Sequence, residues 1–250
     1  MSPASPREPV GAKLTQSNPA PAPRRQPAPI TGIYLVTDRH LTGDRGLLAT
    51  VDAAVAGGVT TVQYREKRRG AEDQLRDIER LAEVIDGRAA LVINDRLDVA
   101  IAARKLGIRL DGVHLGQGDA AVHEARAALG PDAIVGLTAN TAAHLAAVAA
   151  LPAGTVDYLG IGVIRPTSTK PDHPPALGVD GFAALAAATP LPAVAIGGIH
   201  ADDVAPLREA GAAAIAVVSA ICAAPDPTLT ARGLTAAWHT ASTPTRKTHA

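Results

Sequence analysis

The stretch Thr60-Thr61-Val62-Gln63-Tyr64-Arg65-Glu66-Lys67 decides the reading of this chain, because a β-favouring run there ends abruptly in a cluster of polar and charged residues. The same arrangement recurs. Asn94-Asp95 follows Leu91-Val92-Ile93, and His114-Leu115-Gly116-Gln117-Gly118-Asp119 follows Asp111-Gly112-Val113. Further on, Thr167-Ser168-Thr169-Lys170 follows the run that begins at Tyr158, Gly197-Gly198 follows the run ending at Ile196, and Ser219 follows the run ending at Val218. In a sheet of parallel strands every carboxyl end opens on one face, so polar ends of this kind converge on one large site.

Working outward from 60–67, strand-like segments fall at 32–37, 60–65, 89–94, 112–115, 133–138, 158–161, 193–196 and 214–218. Helix-like segments lie between and after them, at 44–56, 71–85, 97–106, 120–129, 141–150, 179–187, 201–210 and 227–240, with several closed by a glycine such as Gly57, Gly107, Gly130 or Gly211. Eight βα units in succession predict the α/β class and a single (β/α)8 TIM barrel as the catalytic domain over residues 31–240, with a doubly wound open sheet as the alternative. The composition agrees: 47% of residues are hydrophobic but only 2% aromatic, so the core is built of Ala, Val, Leu and Ile, which suits buried parallel strands covered by helices. Twenty-four basic against 24 acidic residues leave no net charge to attract nucleic acid or an anionic membrane. Cys222 is the single cysteine, which excludes an internal disulfide, and no cysteine and histidine spacing resembles a structural zinc site. Residues 1–30 carry eight prolines and Arg24-Arg25 without the apolar core of a secretory signal, and read as a disordered Pro/Ala-rich tail; residues 241–250 read the same way. No apolar stretch approaches the roughly 20 residues that span a bilayer. The expectation is a soluble, cytoplasmic protein acting on small molecules, with a homo-oligomer left open.

Alternate residues of a strand share a face, so Gln63, Arg65 and Lys67 point one way while Val62, Tyr64 and Glu66 point the other. A guanidinium fork beside an ammonium suits a diphosphate, although the same residues also suit a solvated strand end. Asp95 and Asp119 each close a strand end. Two carboxylates facing one cavity repel each other unless a cation or proton lies between them, and magnesium, which accepts a carboxylate or two together with waters and phosphate oxygens, is the natural occupant. The alternative role for each is helix capping, since each precedes a helical stretch. The long loop after the sixth strand offers the hydroxyls of Thr167, Ser168 and Thr169 and the ammonium of Lys170 between Pro166 and Pro171, a set that suits an oxyanion or a plain surface loop. Gly197-Gly198 and Val218-Ser219 end the seventh and eighth strands, where barrels commonly hold a phosphate. His114 reads as a packed, hydrogen-bonded core histidine rather than a metal ligand.

Taken in order, the stretches at 34–38, 62–67, 93–96, 111–119, 166–171, 195–199 and 217–221 resemble the thiamine phosphate synthase family across nearly the whole span from Tyr34 to Ala223. The resemblance implies a TIM barrel that joins hydroxymethylpyrimidine diphosphate to a thiazole phosphate, forming thiamine phosphate and releasing diphosphate in thiamine biosynthesis. It further implies that Gln63, Tyr64, Arg65, Glu66, Lys67, Asn94, Thr138 and Lys170 bind the pyrimidine diphosphate. Magnesium falls to Asp95 and Asp119, and the thiazole phosphate to Thr167, Ser168, Thr169, Gly198, Val218 and Ser219. Arg65, Lys67 and Lys170 are the implied catalytic residues, stabilising charge on the leaving group of a dissociative reaction. The chain departs from the family pattern at Thr138, often serine, at Val163 and Arg165, usually a proline and an aromatic residue, and at Gly118, often acidic. Two other readings compete: a thiazole tautomerase of the same fold, and a non-catalytic binder of thiamine intermediates.

Overall fold

The computed structural model describes residues 29–118, 121–167, 169 and 175–241. The expectations for the tails therefore lie almost wholly outside the described residues, as do the candidate site residues Asp119, Ser168 and Lys170.

Eight strands form a closed barrel in sequence order: β1 (Gly32–Val36), β2 (Val59–Tyr64), β3 (Ala90–Asn94), β4 (Gly112–Leu115), β5 (Ile134–Thr138), β6 (Tyr158–Gly162), β7 (Ala193–Ile196) and β8 (Ala214–Val217). Every neighbouring pair is parallel, and the ring is closed by β1 against β8, with Ile33 opposite Ile215 and Leu35 opposite Val217. A helix follows each strand: α1 (Gly46–Ala56), α2 (Ala71–Ile85), α3 (Leu97–Lys105), α4 (Val122–Leu129), α5 (Ala142–Ala149), α6 (Gly178–Ala187), α7 (Val204–Glu209), and after β8 both α8 (Ser219–Cys222) and α9 (Pro227–Thr240). The (β/α)8 expectation holds, and the open sheet is ruled out by closure.

The side-chain period of two divides the apolar residues into two cores. Outward residues of the strands, among them Ile33, Leu35, Val62, Leu91, Ile93 and Ile215, pack beneath the helices. Inward residues Tyr34, Val36, Val92, Ile134, Tyr158, Val194, Ala214 and Ala216 fill the barrel. On α2 the residues Gln74, Asp77, Ile78, Leu81 and Ile85 are buried at helical spacing, which seats that helix on the barrel along one stripe. The last helix closes the outer ring against the first: a Cβ on Gly57 would lie 2.6 Å from both the Ala231 Cβ and the Thr228 carbonyl oxygen, so only glycine admits this approach.

Element boundaries differ from the sequence pattern in a few places. The segment at 44–56 is preceded by a 3-10 turn over Arg39–Arg45, capped by Asp38 accepting from the His40 N–H, and the helix itself begins at Gly46. The segment at 201–210 is a 3-10 turn over Ala201–Asp203 continued by α7. A one-turn helix, α8, stands where the pattern shows only a turn. Ile30, assigned to the tail by its proline-rich context, is instead buried and packs with the barrel interior. Among the described residues no helix is long and apolar enough to cross a membrane.

Candidate active site

The strand ends surround a cavity of about 550 Å3, within the range of small-molecule sites. From β2 it is lined by Gln63, Arg65 and Lys67, the alternate set expected to share a wall. Arg65 is anchored through its backbone, whose N–H donates to the Thr37 hydroxyl at 3.0 Å, while its guanidinium lies 3.9 Å from Asp38. Tyr64 and Glu66, both named as substrate-binding, are not among the cavity residues. Strand parity turns them outward. The Tyr64 hydroxyl donates to Asp77 on α2 at 2.7 Å, and Glu66 lies 3.5 Å from Arg39. Asp77 also receives Arg39 at 2.5 Å and Arg69 at 2.7 Å, so one nearly buried carboxylate gathers the segments on either side of Arg65 and Lys67. Burial, reinforced by the Asp77 carboxylate, pushes the Tyr64 phenol far above its ordinary pKa and keeps it a neutral donor.

Asn94 and Asp95 enter the cavity from the end of β3, and Gly116, Gln117 and Gly118 from the end of β4. The two ends are tied together where the Asp95 N–H donates to the His114 carbonyl at 2.9 Å. Asp95 holds a left-handed backbone at φ 63°, a conformation that costs a residue other than glycine about 1–3 kcal/mol and gathers at functional positions. The N-cap of α3 is Arg96, whose side chain makes no capping hydrogen bond. Gly118 has open space around its Cβ position, so packing does not exclude a side chain there.

Across the barrel floor runs a chain of hydrogen bonds. Gln63 Nε2 donates to the Tyr34 hydroxyl at 2.8 Å, the Tyr34 and Tyr158 oxygens are 2.8 Å apart, Tyr158 meets His114 Nδ1 at 2.9 Å, and His114 Nε2 meets the Thr138 hydroxyl at 3.0 Å. Burial raises both phenols well above the ordinary tyrosine range, so each is neutral. His114 is hydrogen-bonded as its sequence context suggests, but it stands in the cavity wall rather than the packed core. Glycines make room for it and for Tyr158: a Cβ on Gly136 would lie 2.2 Å from the Tyr158 ring, and one on Gly160 would lie 3.0 Å from His114 Cε1.

The opposite wall comes from β6, β7 and β8. Thr167 and Thr169 line it, with the Thr169 N–H donating to the Thr167 hydroxyl at 3.2 Å, together with Gly197, Gly198, Val218 and Ser219. Gly198 is required on two counts: its φ is 64°, and a Cβ there would come within 2.7 Å of the Arg165 carbonyl oxygen and 2.8 Å of the Pro166 carbonyl oxygen. Arg165 is absent from the cavity lining. Its guanidinium forks onto Asp203 at 2.6 and 3.0 Å, which holds the Asp203 carboxyl below its usual range and joins the β6 end to the β7 end. Val163 does line the cavity, packed where a Cβ on Gly197 would collide with it. Thr138 keeps its hydroxyl in the hydrogen-bond chain, so the added methyl does not displace it.

The cavity thus brings together Gln63, Arg65, Lys67, Asn94, Asp95, Thr138, Thr167, Thr169, Gly198, Val218 and Ser219 from the sequence-based set. Sequence reasoning passed over Tyr34, Asn140 and Tyr158. Asn140 is held by accepting from the Gly162 N–H at 3.0 Å. Tyr34 was within reach of the alternation rule, being two residues before the inward Val36 on the first strand.

A family model described as thiamine monophosphate synthase matches residues 33–221. The thiamine-phosphate synthase of Azorhizobium caulinodans is 48% identical over 203 residues, covering 81% of this chain and 92% of that protein, and its counterpart from a Psychrobacter species is 46% identical over 195 residues, covering 78% and 89%. Among solved structures, a thiamine phosphate pyrophosphorylase from Pyrococcus furiosus superimposes with a TM-score of 0.72 at 27% identity, covering 84% of this chain and 96% of that one.

Proposed function

Because this chain belongs to the thiamine monophosphate synthase family, we propose that its cavity joins hydroxymethylpyrimidine diphosphate to thiazole phosphate, giving thiamine phosphate and diphosphate. The observation that carries the reading is the division of one cavity into two unlike ends. Arg65 and Lys67 stand at one, and the hydroxyls of Thr167, Thr169 and Ser219 with the glycine backbone of Gly198 stand at the other. The cationic end suits a leaving diphosphate, and the small-residue end suits a phosphate that does not react. Between them Gln63, Tyr34, Tyr158 and Thr138 line the cavity with polar groups against which the pyrimidine would lie. The substrates are free small molecules, and the setting is cytoplasmic.

Asp95 fits a role in metal binding: it carries a carboxylate on a left-handed backbone lining the cavity, at a strand end hydrogen-bonded to β4, directly after which the sequence Gly116-Gln117-Gly118 leads to Asp119. Asp95 and Asp119 would hold magnesium, which when bound supplies positive charge to the diphosphate. The chain's own part is electrostatic and positional. Arg65 and Lys67, joined by Lys170, stabilise the charge that collects on the diphosphate oxygens as the bond to the pyrimidine methylene breaks. The methylene cation is stabilised by the ring's own amino group, and the thiazole nitrogen, held in line by its phosphate, attacks it, so no protein nucleophile is needed. The test is a coupling assay of the full chain with both substrates and magnesium, reading thiamine phosphate. Interconversion of thiazole tautomers without coupling, or binding of both substrates without turnover, overturns the proposal.

A further inference from the structure

The hydrogen-bond chain across the barrel floor has a direction, and the direction sets what the cavity presents to its ligand. Tyr34 accepts from Gln63 Nε2 and touches one other polar partner in the chain, Tyr158. Both phenols are fully buried and neutral, so each hydroxyl has one proton that needs an acceptor. With Gln63 entering as a donor and Tyr158 as the other side-chain partner of Tyr34, the arrangement that gives each buried phenol proton a protein acceptor sends the Tyr34 proton to Tyr158. The Tyr158 proton then goes to His114 Nδ1, which must be the unprotonated nitrogen of the imidazole. His114 carries its proton on Nε2 and donates it to the Thr138 hydroxyl. With that oxygen already accepting, Thr138 turns its own proton towards the cavity.

We propose that Tyr34 and Tyr158 are positioning residues that hold His114 as the Nε2-protonated tautomer and thereby make Thr138 a hydrogen-bond donor to the ligand. The ligand atom against Thr138 is then an acceptor, such as a ring nitrogen lone pair. Gly136 and Gly160 fit this role, since any side chain at either would intrude on Tyr158 or His114. The tautomer stands on the geometry alone; its effect on turnover rests on the pyrimidine lying over this floor, as proposed above.

The test begins with the full chain labelled with 15N-histidine and a long-range proton–nitrogen correlation spectrum at neutral pH, with the His114 signals assigned by their loss in His114→Asn. An unprotonated Nδ1 with a protonated Nε2 is expected. A protonated Nδ1 overturns the proposal, because the chain would then run the other way or His114 would be charged. Tyr158→Phe removes the donor to Nδ1 while keeping the ring, and is expected to abolish the single-tautomer signature. It should also lower kcat/KM for the pyrimidine diphosphate about tenfold, the worth of one hydrogen bond, while the KM for thiazole phosphate stays within about twofold. An unchanged tautomer in this variant refutes the positioning role. Tyr34→Phe, one link further away, should weaken the signature in the same sense, and it carries the test if Tyr158→Phe does not fold. The expected tautomer in a protein without coupling activity would sink the functional reading and leave the chain's direction intact; the opposite tautomer in an active enzyme would do the reverse.

Discussion

Asp77→Ala should be strongly destabilising although it lies outside the cavity, because one carboxylate holds three donors from separate segments. Asp77 is 8% exposed and accepts from Tyr64, Arg39 and Arg69. The Tyr64 hydroxyl is buried, so losing a hydrogen bond to a charged group there costs about 1.5–3 kcal/mol. The side chains of Arg39 and Arg69 are 36% and 34% exposed and retain access to water, so their ion pairs count for only about 0.5 kcal/mol each. The total is about 3 kcal/mol, or a fall in Tm of about 6–12 °C for a domain of this size. Thermal melts of Asp77→Ala, Tyr64→Phe and the double variant provide the check. Tyr64→Phe should account for about half of the loss, and the double variant should be less destabilised than the sum of the singles, since the two residues share one bond. A fall of under about 2 °C for Asp77→Ala would refute the reasoning. Because Tyr64 and Arg69 flank Arg65 and Lys67, the variant should also raise the KM for the pyrimidine diphosphate more than that for thiazole phosphate.

Three further outcomes are expected. Ser219→Ala should mainly raise the KM for thiazole phosphate, by about 1.5–3 kcal/mol for one hydrogen bond to a charged group, and steady-state kinetics that moved only the KM for the pyrimidine diphosphate would reverse the assignment of the two ends. Burial pushes the Cys222 thiol up to about 11, so the native protein should resist alkylation at pH 8 and react once unfolded in urea; rapid labelling of the native state at pH 8 would contradict that burial. The sign for stability is the same: a thiol pKa raised by folding contributes fully below its unfolded value near 9 and is lost as the pH rises towards 11. Removing residues 1–28 should leave Tm and turnover unchanged, whereas Ile30→Ala should cost about 2 kcal/mol by stripping apolar packing from the barrel interior; equal melts for the two variants would show that Ile30 contributes nothing there.

The departures from the family pattern acquire physical explanations from the structure. Arg165 does not enter the pocket in place of an aromatic ring; Asp203, 2% exposed, draws its guanidinium away. Thr138 presents the same hydroxyl as a serine to His114. Val163 takes up space beside Gly197 that a side chain at 197 would need.

What the sequence determined by itself is whatever depends on the period of a single strand or helix. Eight strand-like runs, six of them ending in polar clusters, specify the repeated βα unit, and alternation along 60–67 separates Gln63, Arg65 and Lys67 from Tyr64 and Glu66, because successive side chains of an extended backbone point to opposite faces. Grouping all five residues as ligands goes beyond that rule, and the strand divides them. Only the tertiary structure decided the rest. Tyr34 and Tyr158 are 124 residues apart on strands that do not neighbour each other, and they touch because closing the ring turns their inward faces across one interior. Arg39 meeting Asp77, Arg165 turning to Asp203, and Ile30 joining the interior likewise depend on contacts between segments distant in sequence. No local propensity encodes those distances, since they are set by the shear and radius of the whole barrel.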